Sequence, residues 1–305
     1  MATPATAHIP NWDQLRTELG TVEFIYVADS KLCSIENLEY IARKGGKFIT
    51  IMPANRQEVK DFHHRLVSEE ILWQTAYQKE NSRKRGDFTT YRIYEDRSRE
   101  AYRIVWVHSS SKAQSDADKR EQQIRKAENH LRTLSPKLNR YRLKTRDSIQ
   151  SAVNQAIEGA DDYLNYELTE QTITESKQIG RGKPNPKTRY LKQTHTIYGL
   201  SWKRNENAID DAAATDGVFP LVDNTDKSAV DVLKTYKQQP YLEKRHSTLK
   251  TVEGVSPIYF KKPERIEAML FLDFIALMII SLVERKLRRN LSEEQLTGHQ
   301  TPARN

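Results

Sequence analysis

Residues 22–28, VEFIYVA, form an apolar run, Glu23 excepted, that ends on Asp29. A run this short and continuous reads as a strand covered on both faces, since a half-exposed strand would alternate. It is therefore expected at the centre of a mixed or parallel sheet. Downstream, Ser34 is placed to cap a helix whose apolar residues Ile35, Leu38 and Ile41 recur at helical spacing and stop at Gly45-Gly46. A strand over 47–52 follows, then a helix opened by a capping box from Asn55 to Glu58. Upstream, residues 11–19 read as a helix capped by Asn11 and ended by Gly20. The order strand, helix, strand, helix sets Asp29 at a strand's C-terminal tip, the rim where open α/β sheets bind ligands. An Asp at such a tip can equally just cap the following helix, although Ser34 is better placed for that.

Bulk properties narrow the class. A chain of 305 residues, 37% hydrophobic, can bury a substantial core. The excess of Lys and Arg, 49 against 41 acidic residues, fits a polyanionic partner without requiring one. A single cysteine, Cys33, excludes an internal disulfide framework and suits a reducing cytoplasm. The N-terminus lacks the cationic and apolar pattern of a secretory signal. Residues 268–283 are mostly apolar but include Asp273, so a buried core helix is expected there and no membrane association.

From Ile71 the pattern changes. ILWQTAYQ, FTTYRIYED and AYRIVWVHS, separated by charged turns, read as an antiparallel meander. Residues 112–150 are polar and helical. Ile124, Ala127, Leu131, Leu134, Leu138 and Tyr141 form a heptad-like seam broken at Ser135-Pro136, where a second helix is expected to start. Residues 163–174 and 189–203 read as a strand pair around the loop IGRGKPNPK. The sheet resumes at 217–222, with Asp223 at the strand's end as a reserve carboxylate and Asp216 facing away. A helix over 229–236 leads into YKQQPYLEKRHSTLK, and a long helix from Glu264 to about Arg289 is expected to cover the sheet.

In that penultimate stretch Glu243, Lys244, Ser247 and Lys250 recur three and four apart, on one side of a helix that would begin at Pro240. On spacing alone this is a wet, charged helix face.

Tyr236, Gln239, Glu243 and Lys250 have the spacing of the Y-R-E-K signature of insertion-sequence DDE transposases, with Gln239 in place of Arg. FIYVADSKLCSIENLEYI resembles the segment that carries that family's second acidic residue, here Asp29. DGVFPLVDNT and KKPERIEAMLFLDFIALMIISLVERKLRR extend the likeness.

The resemblance implies a mixed α/β (α+β) chain with an RNase H-like, retroviral-integrase-type core. Residues 1–68 and 206–290 would form the two parts of that core, 69–205 a β-rich and helical insertion, and 291–305 a tail. It further implies two Mg2+ or Mn2+ ions shared by Asp29, Glu243 and a first Asp, with DNA held by Tyr236, Gln239, Lys244, Arg245 and Lys250. Two such ions activate the attacking oxygen and stabilise the leaving one in phosphoryl transfer. No strand-terminal Asp precedes Asp29, since Asp13 falls in a helix. The chain therefore resembles the later part of a transposase, whose partners would be transposon ends, a second copy, or a separately encoded N-terminal part. Two other readings stand beside it: a non-catalytic DNA-binding or regulatory remnant, and a structural protein assembled through residues 112–150.

Overall fold

A computed structural model describes residues 7–80, 86–179, 190–238 and 262–297. The chain divides into two compact units, Met1–Val232 and Leu233–Asn305, and each is described by itself.

In the first unit, β1 (Ile25–Ala28) pairs in parallel with β2 (Lys47–Ile51), and α2 (Ile35–Arg43) connects them. The sheet then continues through β8 (Val218–Asp223), β5 (Arg103–Ser109), β4 (Phe88–Arg97) and β3 (Gln74–Glu80), all antiparallel. The class is thus mixed α/β, and the expected meander forms and joins the same sheet as β1 and β2.

The expectation for β1 needs correction. Among the described residues this strand is an edge, half-buried throughout. Its apolar run is used differently: Val22, Phe24, Tyr26 and Ala28 pack on a cluster that includes Trp12, Leu38, Ile41 and Phe48. Helix α1 (His8–Leu19) contributes the buried Trp12 to that cluster and so covers one face of the strand. It begins before Asn11, because Pro10 falls in the first turn, where no N–H is needed. Gly46, at the entry to β2, is held by close approach: a Cβ there would lie 2.5 Å from the Trp12 ring.

Ser34 does cap α2, its hydroxyl accepting from the Asn37 N–H at 3.3 Å. The Asn55 box does not form. Helix α3 (Gln57–Ser68) starts after Arg56, whose guanidinium takes the Glu58 and Glu100 carboxylates at 2.8 Å and so occupies the side chain expected to close the box. Phe62 of α3 stacks on Trp106 of β5 with ring centroids 3.8 Å apart, fastening the helix to the sheet.

Strand β8 runs antiparallel to β2, pairing Ile49 with Asp223 and Ile51 with Leu221. Pro220 sits inside this central strand, a position usually barred to a residue without an N–H. Its carbonyl accepts from the Met52 N–H at 3.0 Å, and the donor it lacks would face β2 just where β2 ends.

Helix α4 (Ser110–Leu134) packs Ile124, Ala127 and Leu131 against Ile149, Val153 and Ile157 of α5 (Arg146–Ile157). The apolar seam is thus filled from within the chain. Ser135-Pro136 makes only a short 3-10 turn, and Tyr141, counted in the seam, is exposed. The second helix waits until Thr145 caps it, because Asn139 and Tyr141 take left-handed conformations that break the chain's helical path. Strands β6 (Leu164–Gln178) and β7 (Tyr190–Arg204) form a separate two-stranded ribbon whose base packs on these helices. Helix α6 (Glu206–Thr215), capped by Asn205, follows.

Helix α7 (Ala229–Tyr236) matches expectation and crosses from the first unit into the second. In the second unit α8 (Pro263–Thr297) is apolar on all sides over residues 268–283, Asp273 excepted, and charged toward both ends. It was expected to be buried, yet Phe271 and Leu272 are about two-thirds exposed, at 64% and 65%. Among the described residues it is the one helix long and apolar enough to cross a membrane. Asp273, with one carboxylate oxygen shielded from solvent and unpaired, sits within that stretch, and a carboxylate at such depth is costly in a bilayer.

Candidate functional site

Asp29 stands where β1 ends, beside the end of β2. Thr50 of β2, fully buried, donates its hydroxyl to the Asp29 carbonyl at 2.7 Å and fixes the backbone there. One carboxylate oxygen of Asp29 accepts the Lys31 N–H at 3.0 Å, closing a tight local turn. The side chain stays 55% exposed. Because Ser34 caps α2, Asp29 is released from that duty, and its carboxylate faces the rim.

Two neighbours were not legible in the sequence. His8 of α1 brings Nε2 to 3.9 Å from the Asp29 carboxylate, while its Nδ1 lies 3.1 Å from the Tyr26 hydroxyl. Burial pushes the His8 ring below the usual imidazole range; Asp29 opposes that shift and Lys31 adds to it. Burial likewise raises the Tyr26 hydroxyl, with a bond from Asn11 opposing and Asp29 adding. At neutral pH the Asp29 side chain therefore has an uncharged imidazole and a protonated phenol beside it. Nothing local marks His8, since only the packing of α1 brings it there.

The reserve carboxylate is otherwise engaged. Asp223 is fully buried and accepts from Arg103 Nε at 3.0 Å, Arg103 Nη2 at 2.8 Å, the Thr225 N–H at 2.9 Å and the Thr225 hydroxyl at 2.7 Å. Because β8 is antiparallel, its C-terminal end lies toward the rim opposite Asp29, beside the start of β2. Asp216, expected to face away, precedes the start of β8, which lies at the rim on the Asp29 side. Arg120 holds it through two bonds of 2.7 and 2.6 Å.

Cys33 is excluded as a nucleophile: burial pushes its thiol up to about 11, so it stays protonated. Among the described residues no group of three His, Cys, Asp or Glu is arranged to hold a metal ion. Tyr236 ends α7, half-buried. Gln239, Glu243, Lys244, Arg245 and Lys250 lie outside the described residues, as does the basic turn Arg83–Arg85. The structure thus brings Asp29 together with His8 and Tyr26, and it leaves Glu243 without a described position. No protein-family model matches this chain, and no curated protein matches it either.

Proposed function

We propose that this chain acts on DNA as part of an insertion-sequence transposase of the DDE type, with Asp29 and Glu243 as two of its three metal-holding carboxylates. One observation carries the reading. Asp29 is an open carboxylate on a pinned backbone, at the C-terminal rim of a parallel strand pair, used neither as a helix cap nor in a buried ion pair. The sequence resemblance asks for an acid at that place. The finer fold, an RNase H-like core widened by antiparallel strands, belongs to the same proposal, as does cytoplasmic localisation.

Divalent ions, Mg2+ or Mn2+, would supply charge neutralisation at the transferring phosphate. Asp29 fits such an ion as a hard oxygen donor with room beside it. Its task is to hold position while Tyr236, Gln239, Lys244, Arg245 and Lys250 bind phosphates and orient the strand. Gln239 donates a hydrogen bond without charge, so Lys244 and Arg245 supply the cation at that point. The third carboxylate would come from a separately encoded polypeptide, and this chain alone is expected not to cut DNA.

The test is Mn2+ binding, followed by spin resonance on the purified chain. Asp29→Ala and Glu243→Ala should each weaken binding at least about tenfold, or about 1.4 kcal/mol, with the melting temperature of Asp29→Ala unchanged. Binding by either variant as tight as the parent's would refute the shared site. Mn2+-dependent nicking by the chain alone, lost in Glu243→Ala, would refute the need for a third carboxylate from elsewhere.

A further inference from the structure

The ribbon of β6 and β7 is longer than its support. Each strand has 15 residues, about 50 Å of extended chain. The base is well held. Leu164 is buried, and Tyr166, Leu168, Tyr198, Leu200 and Trp202 pack on the cluster formed by α4 and α5. Arg204 bonds the Glu128 and Glu121 carboxylates of α4, both at 2.9 Å. The Asn139 side chain pairs with the backbone of Tyr198, donating to its carbonyl at 2.9 Å and accepting its N–H at 2.8 Å. Past that clamp the support stops. From Tyr190 to Thr196 every residue of β7 is exposed.

An isolated two-stranded ribbon has no partner sheet to justify such a projection, and its composition indicates what it meets. Register sets Thr172 opposite Thr196, Thr174 opposite Thr194, and Ser176 opposite Lys192. Strand alternation places these six on the same face as Tyr166 and Trp202 at the base. Beyond Glu170 this face presents hydroxyls and a cation, all exposed, with no acid among the described residues. Thr174 and Thr194 lie with their hydroxyls 3.3 Å apart. Threonine also suits an exposed strand for its shape alone, but that role does not select against acidic neighbours. The electrostatics agree with an anionic partner. From Lys177 to Lys192 the sequence has Arg181, Lys183, Lys187 and Arg189 and no acidic residue; the connecting loop itself lies outside the described residues.

We propose that the outer half of this ribbon is a reading arm for double-stranded DNA, seated in the major groove with its hydroxyl-and-lysine face toward phosphates and base edges. That groove, about 12 Å wide, admits a two-stranded ribbon, and Ser, Thr and Lys are among the side chains that contact DNA phosphates. The arm deepens the transposase reading and rests on it for the identity of the polymer. It stands apart from the chemistry: Asp29 has no part in it.

The experiment is fluorescence anisotropy of the whole chain on a labelled 30-base-pair duplex across a series of salt concentrations, with three variants checked for unchanged circular dichroism. Lys192→Gln should lower the slope of log affinity against log salt by about one. Thr174→Val/Thr194→Val keeps shape and strand preference but removes the hydroxyls, and should weaken binding about tenfold. Lys60→Gln, which removes an exposed cation on α3 outside the arm, should bind as the parent does. If the parent binds duplex DNA and both arm variants bind equally well, the arm proposal fails and the transposase reading survives. If the parent shows no affinity for DNA, both fail. Tighter binding to single strands than to duplex, or a dimer in sedimentation that the threonine variant dissociates, would assign the arm to another partner and overturn the proposal.

Discussion

Replacing Arg103 with Met tests whether Asp223 is a structural residue. The Asp223 carboxylate is fully buried, and two of its four hydrogen bonds come from the Arg103 guanidinium, at 3.0 and 2.8 Å. Arg103 also donates to the Lys227 carbonyl at 2.8 Å, which ties the turn after β8 to β5. Arg103→Met keeps most of the aliphatic stem while leaving a buried charge with only the two donors of Thr225. Each bond to a charged group contributes about 1.5–3 kcal/mol, and breaking a buried pair by removing one partner costs about 3–5 kcal/mol. The expected loss is therefore about 4 kcal/mol, a large share of a typical total of 5–15 kcal/mol. Removing both partners, as in Arg103→Met/Asp223→Leu, eliminates the orphaned charge and should recover about 2 kcal/mol or more of that loss. Urea unfolding followed by circular dichroism measures both, with slopes compared to confirm that the same surface is exposed. A single-variant loss below about 1 kcal/mol, or a double variant equal to the sum of the singles, would refute the reasoning. Asp223 would then be open to another role.

Two further outcomes follow from the same structure. Gly217 has φ +76°, and a Cβ there would sit 2.6 Å from the Ser109 carbonyl and 2.8 Å from Ala113. Gly217→Ala should cost about 1–2 kcal/mol for the left-handed conformation and about as much again for overpacking, with the melting temperature as readout; an unchanged melt would refute the close approach. His8, His63 and His108 all have pKa values lowered chiefly by burial, with His64 and Lys112 adding at His63 and Arg92 adding at His108. The unfolded chain therefore takes up protons first as pH falls through the ordinary value of 6.5, so stability should decline from pH 7 to pH 5. His63→Gln should flatten that slope, and a parent chain of constant or rising stability over the range would refute it.

Much of the fold was legible because it rests on local chemistry. Ser34 caps α2 since a hydroxyl before a helix has one good acceptor geometry, and the tip position of Asp29 follows from that cap and the apolar run before it. The meander was visible in alternation, as where Tyr91 and Ile93 are buried and Arg92 is exposed. Strand direction was not visible: VFPLV reads the same in either sense, and reversing it exchanged the rims of Asp216 and Asp223. The edge position of β1 was hidden as well, because an apolar run records only that it is covered. Here the cover is an aromatic helix face, Trp12 against Phe24 and Tyr40, which no periodicity within the strand encodes. His8 was missed for the same reason. Of the candidate site, the half that depended on a short strand and its cap was recoverable, and the half that depended on Glu243 rests on resemblance.

The one-sided pairing of β1 has a dynamic consequence. In a strand with a single neighbour, alternate amides lack a cross-strand acceptor, so this short segment should breathe faster than the interior of the sheet. The carboxylate at its tip is steadied less by the ladder than by two pins, the Thr50 hydroxyl and the Lys31 amide. Those contacts let a rim residue hold its place while the backbone leading to it exchanges with solvent.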